Sequence, residues 1–251
     1  MVMPLIWLAT AQPWLGLDLH AQDQRIVILK TAPNGPTANL ALVGARLLQI
    51  SAEGHAPIAL TAEDLIEEPD TLGEQAALLR FYARQDQIAR LLRAPTVVIE
   101  VETATSRQSH SLSPVPNRPL GDLPLKLRSQ IFVGLIGVII GAWVVTLRPK
   151  DAAAWLVLVT GVGLAMAAGS AALYSARELA LSATSFHAAS RINSAGTLAF
   201  GIGILSLFLI YPRRILPKAA LPLPALAIAI VIANIQLNDW PKHVPLLQDA
   251  V

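Results

Sequence analysis

The chain reads as a small α+β domain followed by an all-α transmembrane bundle of at least four spans. Three observations predict this. Four long stretches after residue 128 contain no charged residue, and each approaches the ~20 apolar residues a helix needs to cross a hydrocarbon core. Charge is unevenly divided: residues 18–128 hold 11 basic and 13 acidic side chains, residues 129–238 only 7 and 2. Residues 14–113, by contrast, alternate in strand and helix periods, as a water-exposed domain does.

The elements follow in order. Residues 1–13 carry no charge, yet Pro4 and Pro13 interrupt them and no basic segment precedes them. They read as the stump of a membrane helix, truncated or atypical, or as an amphipathic lead-in. Residues 14–125 form the α+β domain. Leu15–His20 and Arg25–Lys30 are predicted to pair as a hairpin, and Pro33-Asn34-Gly35-Pro36 is a turn by composition. Leu40–Val43 and Leu47–Ile50 flank Gly44 as further strands. Thr61 with Asp64 makes an approximate capping box. Leu72–Arg93 reads as a helix with a stripe along Leu72, Ala76, Leu79 and Ala83, broadened by Phe81, Ile88, Leu91 and Leu92. Thr96–Thr103 alternates as a strand, and Arg107–Ser113 returns beside it. Pro114, Pro116 and Pro119 stiffen the connection into the membrane region.

That region, residues 126–238, is predicted to cross the bilayer at about 129–147, 152–176, 192–212 and 219–238, leaving 239–251 as a short tail. With no water in the bilayer core, each crossing must satisfy its backbone as a helix. Basic residues crowd the turns at Arg148-Pro149-Lys150 and Arg213-Arg214-Lys218, whereas the longer Arg177–Arg191 loop has only its two end arginines. The positive-inside rule then faces those turns to the cytoplasm and puts residues 14–125 outside.

Two stretches carry a family resemblance. Ala32-Pro33-Asn34-Gly35-Pro36-Thr37-Ala38, followed by Leu42-Val43-Gly44-Ala45-Arg46-Leu47-Leu48-Gln49-Ile50, resembles the turn, glycine and apolar strand of bacterial extracytoplasmic PDZ domains. Ala45 stands where that family has aspartate. No Gly-Leu-Gly-Phe-like loop is read that would offer backbone N–H groups to a peptide carboxylate. Leu120 to Pro149, Leu173–Leu181 and Leu207–Arg214 look like the membrane region of a class of bacterial sensor histidine kinases. The resemblance spans roughly Trp14 to Lys218. It implies a PDZ-like periplasmic input domain on a membrane bundle in the inner (cytoplasmic) membrane, and in complete members a cytoplasmic kinase core. Only thirteen residues follow Asn238, with no phosphoacceptor box or nucleotide loop. The chain is thus expected to be a sensor fragment or truncated relative that phosphorylates nothing alone.

Candidate site residues are few. Gly137 and Gly141 form a GxxxG that Gly134 extends, a pattern suited to close helix packing within the bundle or to a homodimer. Gly169 belongs to a second small-sided helix. Asn234, deep in the fourth span, needs an interhelical hydrogen bond. Arg177 and Glu178 are adjacent, so they point about 100° apart and seek partners elsewhere, Arg191 being one for Glu178. With His187 and Arg191 they are candidates for ligand binding in an outer loop, or for interfacial residues whose charges reach lipid headgroups.

Several chemistries are excluded. There is no cysteine, hence no disulfide or thiolate. The five histidines form no H-E-x-x-H, so a zinc protease is not indicated, and Ser170 has no membrane histidine as base. No cofactor or metal motif appears, and the basic excess lies in the membrane half, which gives no argument for nucleic acid. The expected partners are membrane lipids and a peptide or envelope protein bound through residues 14–125. A signal-sensing input module is the expected function. A membrane scaffold using the same domain is the alternative.

Overall fold

The computed structural model describes residues 2–67, 72 and 74–211. The fourth predicted span, Asn234 and the Arg213-Arg214 turn lie outside them. The chain divides into two compact units, Met1–Lys126 with Leu173–His187, and Leu127–Ala172 with Ala188–Val251.

The first unit is α+β. After helix α1 (Val2–Thr10) come strands β1 (Leu17–Gln22), β2 (Arg25–Thr31), β3 (Arg46–Ala52) and the short β4 (Ile58–Ala59). Helix α2 (Gln75–Leu91) precedes β5 (Val97–Glu102) and β6 (Arg107–Leu112). The strands form one antiparallel sheet in the order β1-β2-β3-β5-β6, with β4 beside β3. Asp23 and Gln24, both at positive φ, close the β1–β2 hairpin. Two left-handed residues in a two-residue loop match the twist of the flanking strands. Ile26 and Ile28 on β2 and Val97, Ile99 and Val101 on β5 alternate into the core, and on β3 a register shift between Leu47 and Gln49 puts Leu47 and Ile50 there; all are fully buried. Each such side chain contributes about 1.5–3 kcal/mol by leaving water.

Two local readings are revised. Leu40–Val43 is irregular chain leading into a turn rather than a strand, because Gly44 at positive φ and the Ala45–Leu42 hydrogen bond curl it back. On α2 the buried face runs through Phe81, Tyr82, Gln85, Ile88, Ala89 and Leu92, while Leu79 is exposed. A polar residue at the centre of that stripe disguised it.

Most of helices α3 (Leu125–Leu147), α4 (Ala152–Ala176) and α5 (Ala183–Ile210) lies in the second unit, and each holds an 18-residue stretch whose mean hydropathy is 2.3, 2.0 and 1.7 respectively. All three are long and apolar enough to cross a membrane. Twenty-three residues at 1.5 Å rise give α3 about 35 Å. α4 packs antiparallel against both neighbours. A Cβ added at Gly134 would lie 2.9 Å from Ala165 Cα, at Gly137 3.3 Å from the Gly161 carbonyl, and at Gly141 2.6 Å from Leu158 Cα. On α5, Gly196 and Gly203 meet α4 as closely, against Ala167 and Thr160. Large side chains such as Phe132, Ile139, Trp143 and Phe208 are left exposed, as suits helices solvated by lipid.

Candidate functional site

The site begins at Gly16. Its φ of +83° is one that only glycine adopts without strain, and it turns the chain just before β1. The turn aligns three successive N–H groups, those of Leu15, Gly16 and Leu17, on one side. Such a concave row of amides is an anion-binding nest. Thr37, fully buried, donates its hydroxyl to the carbonyls of both Leu15 and Gly16, at 3.0 and 3.1 Å. The Ala32 N–H adds a bond to the Gly16 carbonyl at 2.7 Å. Gly35 packs so near that a Cβ there would sit 2.9 Å from Gly16 Cα. The Pro33–Thr37 turn therefore holds the nest open from behind.

The nest is filled by Glu178. Its carboxylate accepts the Leu15 N–H at 2.7 Å and the Leu17 N–H, with the Gly16 N–H directed at it as well. The nearest opposing charge is Arg118, which donates to the Ala176 carbonyl at 2.5 Å and the Asp122 carbonyl at 2.6 Å. Burial pushes the Glu178 carboxyl up to about 7, against the pull of the amides and of Arg118. Beside the nest a cavity of about 260 Å³ is lined by Gly16, Leu17, Asp18, Lys30, Arg118 and Asp122, among others.

Arg177 turns away from Glu178. Its guanidinium is buried, 5.2 Å above the Phe186 ring, and donates to the carbonyls of Tyr174 (2.9 Å), Asp64 (3.4 Å) and Ile66. Desolvation lowers its pKa to about 10, with Glu67 and Asp64 opposing the shift. Asp64 in turn accepts the Thr61 N–H at 2.8 Å and pairs with Arg84. Phe186 lies within 6 Å of the Phe81, Tyr82 and Tyr174 rings. Arg118 and Arg177 together cap the carboxyl end of α4, where cations are favoured.

The rest of the 177–183 segment is tied to α2. Gln85, fully buried, accepts the Leu181 N–H at 3.4 Å and donates to the Asp64 carbonyl at 2.9 Å. Asp86 accepts the Ala183 N–H at 3.3 Å. Leu179 and Ala180 join the hydrophobic core.

Of the residues singled out by sequence, Arg177, Glu178 and His187 all belong to the first unit but have separate partners, the His187 ring lying 4.2 Å from Tyr82. Arg191 is an exposed residue of α5, and the partners of Glu178 are backbone amides and Arg118 instead. Gly134, Gly137 and Gly141 lie on the α3–α4 contact, and Gly169 is buried on α4. Sequence reasoning missed Gly16, Thr37, Gln85 and Arg118. A row of amides not read from the sequence does occur, at Leu15-Gly16-Leu17. The alternation of Leu15, Leu17 and Leu19 reads as uninterrupted strand, yet a glycine between two leucines was the available signal. Among the described residues no group of His, Asp and Glu side chains is placed to hold a metal. No known protein family, curated protein or solved structure matches this chain.

Proposed function

We propose that this chain is a membrane-embedded input module, in which an extracytoplasmic PDZ-like domain senses a peptide or envelope protein and passes the signal to the helices. The bundle sits in a bacterial inner membrane in this reading, and the module serves a sensor histidine kinase. One observation carries it: the Leu15–Gly16–Leu17 amide nest engages Glu178 from the α4–α5 connection. A recognition loop that grips the link between two apolar helices is suited to relay occupancy into helix packing. The loop Trp14-Leu15-Gly16-Leu17, placed before an edge strand, supports the PDZ-like resemblance. Small-residue contacts at Gly161 and Gly163 are the packing elements on which two alternative states can be built. A ligand shifts such an equilibrium only by its difference in affinity for the two states.

The test uses the full chain in nanodiscs, with a fluorophore on Thr184→Cys; the native chain has no cysteine. A peptide ending in valine with a free carboxylate should give a saturable signal that its amidated twin does not. Silence towards both peptides, or equal responses, would overturn the reading.

A further inference from the structure

The nest is built without Glu178, and Glu178 fills it. Gly16, Thr37, Gly35 and Ala32 fix the loop through contacts among themselves, so the amides stay aimed at one point whichever carboxylate stands there. We propose that residues 177–183 act as an internal ligand of the sheet domain, with Glu178 as a latch that occupies the carboxylate nest in cis.

Three features favour a latch over a permanent strut. First, the segment has no regular backbone pairing with the sheet. Its polar ties are the amides on Glu178, the Arg177 bonds to the Asp64 and Ile66 carbonyls, the Gln85–Leu181 contact at 3.4 Å and the Asp86–Ala183 contact at 3.3 Å. The last two are at the long end of the hydrogen-bond range. Second, a closure that never opened would be made more stably from apolar residues, since burying a carboxylate costs desolvation that amides and one neighbouring arginine offset only in part. Third, the segment runs directly from the last residue of α4 to the first of α5, Ala176 to Ala183. Release of Glu178 therefore frees the ends of two helices and bares the nest at the same moment. The regulatory consequence, that an incoming carboxylate must displace Glu178, rests on the partner-binding reading above. The latch itself does not depend on that reading.

Hydrogen exchange on the full chain in nanodiscs separates the two. In Glu178→Ala, the Leu15 and Leu17 amides should exchange at least about tenfold faster, together with Leu181 and Ala183, while Ile50 and Ile99 in the sheet keep their protection. Glu178→Gln, which keeps the volume but turns an NH₂ towards the N–H donors, should show the same local pattern. Unchanged protection at Leu15 and Leu17 in both variants would overturn the latch. So would uniform loss across the sheet in both, which would make Glu178 a folding residue. The free-carboxylate peptide should bind Glu178→Ala about tenfold or more tighter than wild type, because the cost of opening is removed. Equal affinity in the two would overturn the competition. Binding to neither counts against the partner-binding reading, since exchange judges the latch directly.

Discussion

The carboxylate of Glu178 accepts the backbone N–H of Leu15 at 2.7 Å, across 163 residues of sequence. Between them the chain builds a sheet, leaves it as α3 and returns as α4. The contact makes the α4–α5 connection part of the same compact unit as the sheet.

Protonation of Glu178 should control the stability of the folded sheet unit. The Glu178 carboxyl titrates near 7 when folded and near 4.5 when exposed. The proton is thus held more tightly in the folded state. The stabilisation is complete below about pH 4.5 and is lost as pH rises through 7. The loss is roughly 3 kcal/mol at most. Of the charges around it, Arg118 remains ionised throughout this window, and Asp18 and Asp122 act through Arg118. Thermal unfolding followed by near-ultraviolet circular dichroism should fall across pH 4.5–7 in wild type. Glu178→Gln should remove that part of the slope.

Gly16→Ala should destabilise the sheet unit by about 2 kcal/mol or more. The left-handed backbone costs an alanine roughly 1–2 kcal/mol, and its Cβ would lie 3.0 Å from Gly35 Cα and 3.3 Å from Thr37 Oγ1. A fall in the thermal midpoint of several degrees, with faster exchange at Leu15 and Leu17, is the expected result.

The bundle offers a matched pair of glycines. Alanine normally favours a helix interior over glycine by about 1 kcal/mol. At Gly201 nothing lies within 4 Å of an added Cβ, whereas at Gly161 it would lie 2.1 Å from the Gly137 carbonyl oxygen. Gly201→Ala should therefore be neutral or slightly stabilising, and Gly161→Ala should cost roughly 1–3 kcal/mol by overpacking. Thermal unfolding in one detergent compares them directly.

These residues also show what was legible in the sequence and why the rest was not. The bounds of α4 were readable to the residue, because Asp151 and Arg177 flank an uncharged run. The start of α5 was not: it begins at Ala183, before Ile192, through a run of small polar residues that no hydropathy count favours. The strands of the sheet followed from alternation, except where irregular chain at Leu40–Val43 imitated it. The site itself was half visible. Arg177 and Glu178 drew notice as charges at a helix end, but their partners are main-chain atoms and a residue 60 positions earlier. Backbone amides leave no mark in a residue alphabet beyond the glycine that aims them.

Membrane sidedness is the property on which the proposed input module most directly depends. Single cysteines at Glu102, Thr184 and Arg148, all exposed, can each be probed in intact cells with an impermeant maleimide. Labelling at 102 and 184, with 148 protected until the membrane is opened, is the predicted result. Labelling of 148 from the same face as 102 would contradict it.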